Sequence, residues 1–174
     1  FDQIESLNQQ LFEWFRERVA AEQWESAIEL YQALAAVADG EPRVEDFSNE
    51  LFSSAADSIK SHVAEGDLNR AETIRVTLFN AFGQDSRVQA LQDVLVTEAV
   101  AAADAAAESG EAADAGQTLA WLNRRFSDDP RVAKLATEMS DLLGEVGSSM
   151  SAAENVEALL DELPSDQQLV GGAL

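Results

Sequence analysis

The dipeptide Arg-Val stands at Arg43-Val44, Arg87-Val88 and Arg131-Val132, each occurrence 44 residues after the last. The same step links Ala27, Ala71 and Ala115, and Leu34, Leu78 and Leu122. It also joins Phe82 to Phe126 and Gly66 to Gly110. Agreement at this many positions marks an internal repeat. A period of roughly 20 to 50 residues implies supersecondary units that cannot bury their apolar faces alone and must stack to do so. A chain of 174 residues with 46% apolar content has room for about four such units.

Each unit carries two helical patterns. The stretch from Arg43 to Val63 places Val44, Phe47, Leu51, Ala55, Ile59 and Val63 three or four residues apart, the stripe of an amphipathic helix. Val88, Leu91, Leu95, Ala99 and Ala102 repeat the stripe, as do Val132, Leu135, Met139, Leu142 and Val146. A second, shorter pattern follows each, with Ala27, Leu30, Tyr31 and Leu34, then Ala71, Ile74, Leu78 and Phe82, then Ala115, Leu119, Leu122 and Phe126. "EGD" and "SGE" join long helix to short, and "GQDS" and "SDDP" join short helix to the next long one. Asp85 and Asp129 suit helix N-caps, and Pro42 and Pro130 suit the first helical position. No strand pattern is present, so the fold class is all-α. Residues 1–20, with Leu11, Phe15 and Val19, match the latter part of a long helix. Residues 152–163 read as a short degenerate covering helix, and 164–174 as a tail.

The turns and short helices "EQWESAIELYQAL", "EGDLNRAETIRVTLFNAF" and "SGEAADAGQTLAWL" resemble the turn and second helix of tetratricopeptide repeats. Gly66-Asp67-Leu68 followed by Ala71 fits that pattern. Gly110 followed by Ala115 fits in spacing, with small Ala112 where a bulky residue is usual. Trp24, Ala27 and Tyr31 fit, with Glu22 in place of the glycine. "DDPRV" resembles the Asp-Pro that follows such repeats. The ordinary repeat is about 34 residues; here the additional turns fall in the first helix. The array is similar to elongated tetratricopeptide-like arrays of bacterial envelope and signalling proteins, which often sit beside kinase or formylglycine-generating-enzyme-like domains. The resemblance covers residues 1–163. It implies a right-handed α-solenoid of antiparallel helical hairpins, with units at about 1–40, 41–84, 85–128 and 129–163, whose usual work is binding a partner.

Composition narrows the partner. The net charge of −22 opposes nucleic acid and anionic membrane surfaces. It reads either as a strongly solvated, salt-adapted surface or as the complement of a basic partner. Cysteine is absent, which removes disulfides and thiolate chemistry and fits a bacterial cytoplasm or periplasm alike. No run of eighteen apolar residues exists, so no membrane insertion is expected in this segment. The start at Phe1, on a polar helical pattern, suggests an excised or processed chain, with any targeting segment upstream.

With 33 acidic residues, no single carboxylate pair is informative about catalysis. A single histidine, His62, argues against a metal site. Its place near a helix end reads as a packed residue, with Glu65 of "HVAE" on the same helix face. No cofactor is expected. Trp14 and Trp24 fall at packing positions and are expected in the core, whereas Trp121 falls at a contact between units or is partly exposed. The resemblance implies a binding groove lined by the long helices: Gln9, Phe12 and Arg16 in the first unit, Ser53, Ala56 and Lys60 in the second, and Thr97, Val100 and Asp104 in the third. Arg16 and Lys60 occupy equivalent positions suited to a carboxylate of an extended peptide. The expected function is a non-catalytic scaffold or adaptor segment. The alternatives are a structural spacer or self-association module, and a regulatory segment of a larger enzyme or kinase-like protein. Finally, Arg43, Arg87 and Arg131 stand where a helix N-terminus disfavours a cation, two residues after Glu41, Asp85 and Asp129. They are expected to reach back to the free carbonyls of the preceding short helix, with the side-chain stem on that helix and the acidic neighbour nearby.

Overall fold

The computed structural model describes the backbone of residues 2–37 and 42–141 and the side chains of residues 9–36 and 43–141. The covering helix expected at 152–163, the tail at 164–174, and Glu41 lie outside the described residues. Helix α1 spans Asp2–Ala20, α2 Trp24–Val37, α3 Pro42–Ala64, α4 Leu68–Phe82, α5 Ser86–Glu108 and α6 Ala112–Phe126. A further helix, α7, is described over 130–141. Among the described residues there is no strand, and the all-α class holds.

The 44-residue step governs the helix boundaries themselves. Both ends of α5 lie 44 residues beyond those of α3, both ends of α6 lie 44 beyond those of α4, and α7 begins 44 beyond α5. Local chemistry sets these limits. Pro42 opens α3 and Pro130 opens α7, where a missing N–H removes no helical hydrogen bond. The carboxylate of Asp67 accepts from the Arg70 backbone N–H, that of Asp85 from Arg87 N–H and that of Asp129 from Arg131 N–H, satisfying donors left open in a first turn. After α3 and α5 the chain reverses at Gly66 and Gly110, both at φ of 79°, a left-handed conformation that glycine takes without strain.

Packing follows the stripes. Phe47, Leu91 and Leu135 are buried, as are Leu51, Leu95 and Met139, at matching positions of three long helices. Ala27, Ala71 and Ala115 have no exposed surface, so the second helix of each unit presents its smallest side chain at the same place. The long helices α1, α3 and α5 pack on one another in succession. Each is followed by a short helix packed against it, and α2 packs on α4. Helices α4 and α6 do not pack on each other to a comparable extent. Aromatic side chains fill the larger gaps. Phe12 and Phe15 meet Phe47 edge-on, at ring separations of 4.3 and 4.9 Å, and Phe82 lies 5.1 Å from Phe52 and 5.7 Å from Tyr31. The core is one continuous cluster running from Phe15 to Met139.

Two substitutions probe this core. Leu78 has no exposed surface, and Leu78→Ala is expected to lower stability by about 2–5 kcal/mol. Ala71→Leu, which adds volume where two helices meet, is expected to lower it by about 1–3 kcal/mol. Urea unfolding followed by far-UV circular dichroism measures both; neutral behaviour of Ala71→Leu would show that this contact is not closely packed.

Candidate functional site

Arg87 and Arg131 organise the junctions where one unit meets the next. The Arg87 guanidinium donates from Nε and Nη2 to the two oxygens of Asp85, at 3.0 and 2.7 Å, and from Nη1 to the Ser48 hydroxyl on α3. It also lies 4.5 Å from the centre of the Phe52 ring. Arg131 repeats the fork on Asp129, at 2.9 and 2.6 Å, and reaches Thr97 and Asp93 on α5, at 3.0 and 3.1 Å. The expectation that these arginines bond the carbonyls of the preceding short helix is therefore corrected. Following backbone N–H groups take some of those carbonyls, Gly83 N–H bonding Phe79 O, Asp85 N–H bonding Phe82 O and Asp129 N–H bonding Phe126 O. The guanidinium turns instead to the preceding long helix, and its N-cap carboxylate offsets the unfavourable helix end. The side-chain fork from Arg87, then its backbone N–H, lower the Asp85 pKa from 3.8 to about 2. Arg131 likewise holds Asp129 below the ordinary carboxylate range, and both guanidiniums are pushed upward, chiefly by these partners.

A second polar contact ties α1–α2 to the following unit. Glu22 adopts φ of 54°, the left-handed conformation taken by glycine at the equivalent positions 66 and 110. Its carboxylate meets His62 Nε2 at 2.8 Å and accepts from Arg70 Nη2 at 2.8 Å. Burial works against ionisation of Glu22, but His62 and then Arg70 outweigh it and hold the carboxyl below its ordinary value. His62 is packed, as its position suggested, and its Nδ1 lies 3.6 Å from Glu65 Oε2 on the same helix face. Sequence reasoning noted the missing glycine at Glu22 but not its partners, because contacts 40 and 48 residues away leave no local signature.

The residues expected to line a groove show one exposure pattern in all three units. Gln9 and Arg16, Ser53 and Lys60, and Thr97 and Asp104 are exposed, while Phe12, Ala56 and Val100 between them are half-buried against the core. Arg16 is engaged: its guanidinium bonds Glu50 at 2.8 and 3.2 Å and lies 4.2 Å from the Phe12 ring centre. Lys60 stands 3.9 Å from Asp57, Ser53 donates to the Glu50 carbonyl, and Thr97 accepts from Arg131. Of the tryptophans, Trp24 is buried. Trp121 is buried too, with Nε1 donating to Asn69 Oδ1 of α4 at 3.1 Å, so it stands at a contact between units. Trp14 departs from expectation: it is 50% exposed, because Phe15 beside it takes the inward position. A cavity of about 630 Å³ opens between the α3–α4 turn, α5 and α6.

No protein-family model, curated protein or solved structure matches the chain.

The two contacts generate two tests. A carboxyl held low in the fold contributes its stability fully above its ordinary pKa and loses it as the pH falls through the lowered one. The intact chain should therefore lose more stability between roughly pH 4 and pH 2 than Asp85→Asn does, as read by urea melts across that window. At position 22, Glu22→Ala loses the partners and keeps the left-handed strain, whereas Glu22→Gly loses the partners and relieves the strain. Both should be less stable than the intact chain, with Ala below Gly by about 1 kcal/mol; equal melts would remove the strain from the account.

Proposed function

We propose that this chain is a non-catalytic binding module: a tetratricopeptide-like, right-handed α-solenoid whose long helices form a concave face for an extended peptide or partner protein. One observation carries the reading. At three successive 44-residue positions the long helices present the same sequence of exposed, half-buried and exposed side chains: Gln9–Phe12–Arg16, Ser53–Ala56–Lys60 and Thr97–Val100–Asp104. A periodic face of polar side chains around small or apolar ones suits an extended segment, whose own side chains recur at regular spacing. Glu50 already meets the Arg16 guanidinium, so a partner carboxylate would engage Lys60 first, and the Asp104 end of the face favours a basic residue. A scaffold role accords with the placement of the ion pairs Arg16–Glu50, Glu22–Arg70 and Arg131–Asp93, which join one unit to the next.

A second reading, self-association, is favoured by Trp14, a large apolar side chain half exposed on α1. The two readings separate experimentally. Reversal of charge at Arg16 and Lys60, as Arg16→Glu with Lys60→Glu, is expected to weaken capture of a specific partner about tenfold or more and to leave a monomeric chain monomeric. Unchanged partner capture by that variant would sink the groove. Light scattering that shows concentration-dependent dimers, abolished by Trp14→Ser, would favour self-association instead.

A further inference from the structure

The cavity beside the α3–α4 turn occupies the same register, one unit later, as the Glu22–His62–Arg70 contact. Advancing those three positions by 44 residues gives Gly66, Ala106 and Asp114, and all three line the cavity. In the earlier junction a carboxylate, an imidazole and a guanidinium meet at these positions. In the later one the first two side chains are pared away and the third is inverted in charge. The helices reflect the difference, since α2 packs on α4 more extensively than α4 packs on α6. The volume of about 630 Å³ falls in the range of ligand pockets, roughly 300–1,000 Å³. Its wall includes the indole of Trp121, which is fixed by its bond to Asn69 and already attracts one guanidinium, that of Arg125 at 5.0 Å.

The charges at the cavity select its occupant. Glu65, Asp67 and Asp114 line it against the one cation Arg124. Asp67 is occupied in capping α4, and Glu65 lies near the buried Nδ1 of His62. Asp114 is exposed in the first turn of α6 and enters no ion pair among the described residues. We propose that this cavity binds a cationic group, a guanidinium or ammonium, which meets Asp114 where Arg70 meets Glu22 in the preceding junction. The site is separate from the face that carries Arg16 and Lys60.

The test titrates the intact chain with argininamide and with citrullinamide, both Nα-acetylated so that the second is an uncharged isostere of the first, following the Trp121 indole N–H signal by NMR. Argininamide is expected to shift that signal saturably, with citrullinamide at least about tenfold weaker, and Asp114→Asn is expected to weaken argininamide about tenfold. The triple change Gly66→Glu, Ala106→His and Asp114→Arg, which rebuilds the filled junction, is expected to abolish saturation. Should the triple variant misfold, Asp114→Asn at an exposed position decides alone. Equal binding of citrullinamide, unchanged affinity in Asp114→Asn, or shifts no larger at Trp121 than at Trp14 would each overturn the site. Spermidine and a capped Gly-Arg-Gly peptide separate the sources: tighter spermidine points to a free polyamine, and a tighter peptide to an arginine borne by a protein segment.

Discussion

An amphipathic helix in this chain cannot bury its apolar stripe against its own unit alone, and that constraint shapes everything else. Leu51 of α3 and Leu95 of α5 have no exposed surface because the helices on both sides close over them. Alanine at positions 27, 71 and 115 keeps the second helices close enough for this to happen. The same dependence explains why the polar contacts lie at junctions. A unit that leans on its neighbour must also be oriented on it, and Arg87 and Arg131 provide that orientation by holding their own N-cap and the preceding long helix at once.

Much of this was legible in the sequence, for a physical reason. Helix spacing, caps and turn glycines act over a few residues, so the stripes at Val44–Val63 and Val88–Ala102, the caps at Asp85 and Asp129, and the reversals at Gly66 and Gly110 could be read directly. Contacts across the step of 44 could not. Arg131 advertised an anomaly at its helix end, with Asp129 beside it in sequence, but its further partners, Thr97 and Asp93, depend on which helix lies beneath it. Trp14 and Phe15 compete for one inward position, and only packing decides that Phe15 takes it. The nine residues assigned to the long-helix face came from the resemblance counted along the repeat, whereas the engagement of Arg16 by Glu50 required the neighbouring helix.

The acidic excess has a structural side. Among the described residues, three of the eleven lysines and arginines make ion pairs between units, while most carboxylates stand exposed. Arg16 with Glu50, Arg70 with Glu22 and Arg131 with Asp93 each join different units. Exposed pairs of this kind contribute little stability singly. Their value lies in geometry, because a guanidinium fork fixes direction as well as distance.

An array of similar units has a characteristic hazard: one unit can dock where another belongs, shifted by a whole period, with nearly the same apolar contacts. Glu22 removes that ambiguity. Its carboxylate fits against His62 and Arg70, but the same turn docked one unit later would face Ala106 and Asp114, a methyl group and a like charge. The departure from glycine at this one turn thus numbers the units, and it makes their order along the chain a property of the folded state as well as of the sequence.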